Sequence, residues 1–170
     1  STVQDEVTHV SLYMQLQNMR YNNCAEFIAD VPPELDHFSI PRLTFQPIVE
    51  NAVRYGNGAD GVRNVEIIAG RVKDERGEEQ VRIEVRDHGK GFAPGQAEAI
   101  LSGKASGSVG LKNVHERLRS TYGKRYGLVI RNLEEGAEVL ERLTRFLDGD
   151  KEVCLPILTS CCPAWVNFFE

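Results

Sequence analysis

The sequence predicts an α/β fold. Three observations carry that prediction. Helix-period and strand-period segments alternate along the chain. Val81-Arg82-Ile83-Glu84-Val85-Arg86 alternates strictly between apolar and charged residues, the pattern of a half-buried strand. Ile48, Val49, Ala52 and Val53 instead recur at helical spacing and give one apolar face. The length of 170 residues suits one domain with an appendage, and 41% apolar residues suffice for a core.

Residues 3–20 fit a helix. Val3, Val7, Val10, Met14 and Gln17 or Asn18 fall near one face, and Leu12 and Leu16 widen it. Residues 24–31 read as a strand, closed by the Pro32-Pro33 turn. The next helix has Pro41 near its start and Gly56 past its end. Its buried stripe takes in Leu43, Ile48, Val49, Ala52 and Val53. Glu50 and Asn51 accompany that stripe, and a charge beside an amide is costly to bury unless something pairs with them. A metal ion and a phosphate chain would be suitable partners. The plain alternative is an amphipathic helix with polar residues at its edge.

Asn57-Gly58-Ala59-Asp60-Gly61 reads as a loop. Strands follow at Asn64–Val72 and Val81–Arg86, joined by a hairpin loop over Lys73–Gln80. Asp87-His88-Gly89-Lys90-Gly91 ends the second strand, and residues 95–102 suggest a short helix. Ser102–Ser108 is rich in Gly and Ser, the composition of a mobile segment. Leu111–Thr121 is a helix with Val114 and Leu118 inward, and Tyr126–Arg131 a strand.

Net charge of -5 disfavours nucleic acid as the main partner. No apolar run approaches the roughly 20 residues of a membrane span. No signal peptide opens the chain, and Ser1 follows no initiator Met, so the sequence reads as a piece of something longer. Cys24 stands alone while Cys154, Cys161 and Cys162 crowd the end, which is not a disulfide framework. A reducing cytoplasm is the expected setting.

Three elements carry chemistry in order: the helix with Glu50 and Asn51, Asp87-x-Gly89-x-Gly91 at a strand end, and Gly107-Ser108-Val109-Gly110-Leu111 running into a helix with Lys112 and Asn113. Asp87 can accept the exocyclic amino group of adenine. Gly89 and Gly91 let the backbone turn and approach a flat base without a Cβ in the way. The second Gly-rich loop meets a helix N-terminus, where free amides and the macrodipole favour phosphate, and Lys112 would add charge. Asn51 offers an oxygen to Mg²⁺, Glu50 can orient or activate the attacking group, and Arg54, one turn on, can reach phosphate. A P-loop and a protein-kinase His-Arg-Asp set are both missing from the sequence.

Residues 1–137 resemble the ATP-binding catalytic domain of LytS-like sensor histidine kinases. The resemblance rests on Tyr13–Tyr21, on Ile40-Pro41-Arg42-Leu43-Thr44-Phe45-Gln46-Pro47-Ile48-Val49-Glu50-Asn51-Ala52, and on Val109–Leu118. It implies the two-layer α/β sandwich of the GHKL (Bergerat) ATPases, with a mixed sheet covered by helices on one face. ATP would lie between helices and a mobile lid at residues 92–108. It implies Mg²⁺ on Asn51, phosphoryl transfer to a His on a dimerisation segment upstream of residue 1, and a response-regulator Asp as the downstream acceptor. Any membrane attachment would come through upstream segments. His88 stands where the family usually has Asn, and Ser108 where many relatives have Gly. His9 and His115 lack the acceptor motif's surroundings and read as structural or surface residues. A non-catalytic nucleotide-binding module is the alternative reading.

Residues 138–170 differ. Glu138–Leu147 reads as an amphipathic helix where the family implies a closing strand just after Gly136. Leu155-Pro156-Ile157-Leu158-Thr159-Ser160-Cys161-Cys162-Pro163-Ala164-Trp165-Val166 resembles the first active-site signature of iron-only (FeFe) hydrogenases. That resemblance would make Cys161 a proton shuttle and Cys162 an iron–sulfur ligand. One thiolate cannot hold a cubane that needs about four, so an iron–sulfur fragment is the weakest reading. The chain reads as chimeric, with a helical, loosely packed C-terminal appendage. Leu155, Ile157, Trp165, Phe168 and Phe169 are the residues expected to cover the sheet edge.

Overall fold

The computed structural model describes residues 1–21, 25–56, 63–74, 76–105 and 109–132, and the backbone of residues 164–169. The elements run α1 (Val3–Tyr21), β1 (Ala25–Asp30), α2 (Gln46–Tyr55), β2 (Arg63–Lys73), β3 (Glu79–Asp87), α3 (Gln96–Leu101), α4 (Val109–Tyr122), β4 (Leu128–Ile130) and β5 (Ala164–Phe169). A 3₁₀ turn, Pro33–Leu35, lies between β1 and α2.

The sheet order is β1-β2-β3-β5-β4. β1 is parallel to β2, and the other pairs are antiparallel, so the sheet is mixed. In the β2–β3 register Val65 faces Asp87, Ile67 faces Val85 and Ala69 faces Ile83. With a side-chain period of two, all six belong to one face. That face packs on α1, α2 and α4 in one core that includes Val10, Met14, Phe45, Val49, Ile67, Ile83 and Leu118. Burying each of the larger of these side chains contributes about 2 kcal/mol. The two-layer sandwich implied by the sequence is therefore present. The same alternation carries Asp87 inward, beneath the helix layer, where it is 3% exposed.

On the opposite face Glu84 lies 3.6 Å from Arg82 and 2.8 Å from Arg86. Burial raises the Glu84 carboxyl and lowers Arg82 to about 10.

α2 differs from its expected span. It begins at Gln46, with Pro47 in its first turn, and Pro41 lies outside it. Leu43 is not part of the buried stripe: it precedes the helix, is half exposed and has φ 57°. The cause is tertiary, because Glu6 of α1 accepts hydrogen bonds from the amides of Leu43, Thr44 and Phe45. α1 is also tied to β1, whose Ala25 exchanges two hydrogen bonds with the Asn18 amide.

The helix expected at 138–147, the closing strand expected just after Gly136, and Cys24, Cys161 and Cys162 lie outside the described residues. Residues 164–169, which hold Trp165, Phe168 and Phe169, lie against the sheet as the sequence reading expected. Their backbone forms β5, paired with β3 over six positions and with β4 over three. An unpaired β3 edge would present a row of free N–H and C=O groups, and a strand of any origin can satisfy them.

His115 joins α4 to β4. Its Nδ1 accepts the Leu128 N–H at 3.1 Å, and its ring packs against Gly127, where φ is +144°. Burial, and then the nearby Arg119 charge, hold its pKa below the usual 6.5. A lowered folded value means that the unfolded chain binds the proton first. The contribution of neutral His115 is therefore complete above about pH 6.5 and declines as pH falls toward the folded value. Urea midpoints at pH 7.5 and 5.5 test this. Wild type should lose more stability on acidification than His115→Asn, whose side chain can accept the same N–H without titrating. An equal loss in both would contradict it.

Candidate functional site

α2, the end of β3 and the start of α4 converge around Asn51 and Leu111. Glu50 is exposed and Asn51 half-buried, beside the stripe of Ile48, Val49, Ala52 and Val53 rather than on it. The pair therefore carries little burial cost; it borders open space. A cavity of about 290 Å³ is lined by Pro47, Glu50, Asn51, Arg54, Val109, Gly110 and Leu111. A second, narrow slot runs inward, lined by Ile48, Asn51, Ala52, Val85, Asp87, Phe92, Leu111 and Ile130. Asn51 and Leu111 border both, so the slot and the cavity adjoin, with the buried Asp87 marking the inner end in the slot and Glu50 and Arg54 the mouth in the cavity.

Close backbone approach shapes the inner end. Asp87 Oδ1 accepts the Gly89 N–H at 2.8 Å, which closes the turn after β3. A Cβ on Gly89 would lie 2.7 Å from the Tyr55 carbonyl oxygen and 2.8 Å from the Gly56 Cα. Glycine thus lets the end of α2 press onto the turn. Gly91 has φ 74°, a conformation that glycine adopts freely. At the mouth, a Cβ on Gly110 would meet the Pro47 Cβ at 3.1 Å, so a bare backbone brings the start of α4 against α2.

Not every expected residue reaches the site. Lys112 runs over Gly103 and lies 3.6 Å from Glu116, outside both linings. Asn113 is exposed and also outside them. Gly107 lies outside the described residues. His88 is exposed, 3.9 Å from Glu66, and lines neither space.

Three contributors escaped the sequence reading. Gln46 Nε2 donates to Glu50 Oε1 at 2.8 Å and fixes that carboxylate. The i,i+4 spacing of Gln46 and Glu50 was the signal that could have found it. Asn132 exchanges two hydrogen bonds with the Phe92 backbone, at 2.7 and 2.6 Å, and so pins a slot-lining residue to the end of β4. Glu6 holds the approach to α2 and lies 38 residues from Thr44, beyond any local pattern.

The arrangement offers a small, largely apolar slot with the Asp87 acceptor in its lining, then an open polar cavity with a carboxylate, an amide oxygen and a guanidinium. Among the described residues no cluster of three or more His, Cys, Asp or Glu side chains could hold a metal ion. No described helix is long and apolar enough to cross a membrane.

Residues 39–146 match the family described as histidine kinase-, DNA gyrase B-, and HSP90-like ATPase. Over 134 residues the chain is 34% identical to the sensor histidine kinase YesM of Bacillus subtilis, which covers 79% of this chain and 22% of that protein. The chain therefore spans under a quarter of that relative's length. A stretch of 38 residues, 22% of the chain, is 66% identical to the NADP-reducing hydrogenase subunit HndD of Solidesulfovibrio fructosivorans and covers 6% of it. The fold is similar to the nucleotide-free catalytic domain of histidine kinase ThkA, with a TM-score of 0.65 over 99% of this chain and 92% of the other. Sequence identity there is 13%, so that likeness concerns the fold alone.

Proposed function

The chain belongs to the histidine kinase-, DNA gyrase B- and HSP90-like ATPases, and we propose that it binds Mg-ATP and transfers the γ-phosphoryl group to a His on a separate segment. The carrying observation is the junction at Asn51 and Leu111 of the slot that ends at Asp87 with the cavity that opens at Glu50.

Adenine would enter the slot, with its amino group donating to Asp87 and its faces against Val85, Phe92 and Ile130. The slot holds about 10 Å³ of free space, about one water, so the base enters only as Phe92 or Leu111 moves aside. The phosphates would pass Asn51 toward the start of α4, a 14-residue helix whose N-terminal amides favour anions. Gly107, Gly110, Lys112 and Asn113 would close over them. Arg54 would meet the outer phosphate.

Mg²⁺ fits this donor set. It keeps several waters, shares phosphate oxygens and asks the protein for one or two oxygens; Asn51 supplies one beside the cavity. Bound there, Mg²⁺ would neutralise phosphate charge. Glu50, held by Gln46, would accept a hydrogen bond from the attacking imidazole and raise its nucleophilicity. As the N–P bond forms, the P–O bond to ADP breaks. A dimerisation and phosphoacceptor segment supplies that imidazole, and a response-regulator Asp receives the phosphoryl group next. The setting is the cytoplasm, which supplies ATP.

Glu50→Gln separates binding from transfer. Mg-ATP affinity should stay within about twofold, while transfer to an added acceptor-helix protein falls by about 100-fold. Unchanged transfer removes Glu50 from the chemistry. ATP binding by wild type with no transfer to that acceptor would favour a nucleotide-binding module instead.

A further inference from the structure

We propose that Glu6 of α1 is a positioning residue for Glu50 and Asn51, acting through the turn that opens α2. The proposal rests on the functional reading above. The Glu6 carboxylate is 2% exposed. Its Oε1 accepts the Leu43 N–H at 2.9 Å, and its Oε2 accepts the amides of Thr44 at 2.8 Å and Phe45 at 3.3 Å. A buried carboxylate survives when backbone donors satisfy it, and the positive end of a helix adds to that. α2 has no side-chain cap of its own. Glu6 instead fixes the three residues that lead into it, Leu43, Thr44 and Phe45, from 38 residues away in the case of Thr44.

The backbone bears the mark of that restraint. Leu43 has φ 57°, a conformation that residues with a Cβ adopt only under constraint. Its side chain is 50% exposed, so packing is not what holds it there. α4 grips the same segment, as Arg117 donates to the Arg42 carbonyl and Tyr122 to the Ser39 carbonyl. The start of α1 adds the amides of Val3 and Gln4, bonded to Phe38 and Asp36. Residues 36–45 are thus a hub between two helices, and Glu6 is its charged centre.

From the hub the path to the site is short. Gln46 follows Phe45 directly and holds Glu50 Oε1 at 2.8 Å. Gln46 and Glu50 stand four residues apart, about 6 Å along the helix at about 1.5 Å of rise per residue. Losing the Glu6 carboxylate lets the 43–45 amides relax, which turns Gln46, frees Glu50 and shifts the Asn51 oxygen.

The test compares wild type, Glu6→Ala and Glu6→Gln at a temperature where all three are folded by circular dichroism. A non-hydrolysable ATP analogue is titrated with Mg²⁺ and with EDTA. The Mg²⁺-dependent gain in affinity should fall about tenfold in Glu6→Ala, the scale seen when supporting groups of a metal site are removed. Affinity in EDTA should stay within about twofold, because the Asp87 end is untouched. Glu6→Gln, which keeps one carbonyl acceptor, should recover part of the gain. The same gain in all three proteins overturns the proposal, as does an equal loss with and without Mg²⁺. Amide hydrogen exchange without nucleotide gives an independent reading. Faster exchange reaching from Leu43 to Asn51 in Glu6→Ala supports positioning; faster exchange confined to Leu43, Thr44 and Phe45 overturns it. If wild type itself shows no nucleotide binding, the proposed function fails, and the exchange data alone decide the role of Glu6.

Discussion

Replacing Asp87 by Asn is expected to weaken Mg-ATP binding by about 100-fold, roughly 2.7 kcal/mol, with little change in thermal midpoint. Asp87 is 3% exposed and its Oδ1 accepts the Gly89 N–H. Asn retains that oxygen, and with it the turn that presses against Tyr55 and Gly56. Keeping Oδ1 on Gly89 presents Nδ2 where Oδ2 stood. A donor then faces the donor amino group of adenine. The complex loses a hydrogen bond to a charged acceptor, about 1.5–3 kcal/mol, and leaves desolvated donors without a partner. Isothermal titration of wild type, Asp87→Asn and Asn51→Ala reads the result. Asn51→Ala should weaken binding only in the presence of Mg²⁺. Equal affinity in all three proteins would remove the nucleotide site as proposed.

Residue order made the parts of this site legible, while long-range contacts set the geometry. Asp87 was readable because strict alternation from Val81 to Arg86 ends on it and two glycines follow at the spacing of a turn. Glu50 and Asn51 stood out beside an apolar helix face. Periodicity also placed α1, β2, β3 and α4 within a few residues of where they lie. The start of α2 was misplaced, since Pro41 is a valid local signal and the carboxylate that overrides it sits in α1. Lys112 illustrates a different limit. Its neighbourhood in the sequence suits phosphate, yet its side chain lies over Gly103, beside Glu116. A chain position fixes the backbone neighbourhood of a long side chain, but its direction depends on partners that pattern reading does not see.

The C-terminal segment shows the converse, a strand whose position owes little to local pattern. Deleting residues 164–170 is expected to lower stability by about 5 kcal/mol, against the 5–15 kcal/mol typical of a whole domain. β5 pairs with β3 over six positions and with β4 over three. At about 0.5–1.5 kcal/mol net per hydrogen bond, those ladders account for a loss of that size. β4 is three residues long and has β5 as its only partner strand among the described residues. The effect should also reach the nucleotide site. In the register Ala164 stands between Val85 of β3 and Ile130 of β4, and both of those residues line the slot. Two residues on, Asn132 holds Phe92. Val166→Pro gives the milder version. It removes one N–H between Ile83 and Leu128, the two residues that Val166 faces, and places a proline in an internal strand. Urea unfolding and ATP-analogue titration of residues 1–163, Val166→Pro and wild type form the test. The midpoint and the affinity should fall together, most in the deletion and less in the proline variant. An unchanged midpoint in the deletion would mean that the segment does not complete the sheet in solution. A lower midpoint with unchanged affinity would separate the strand from the slot.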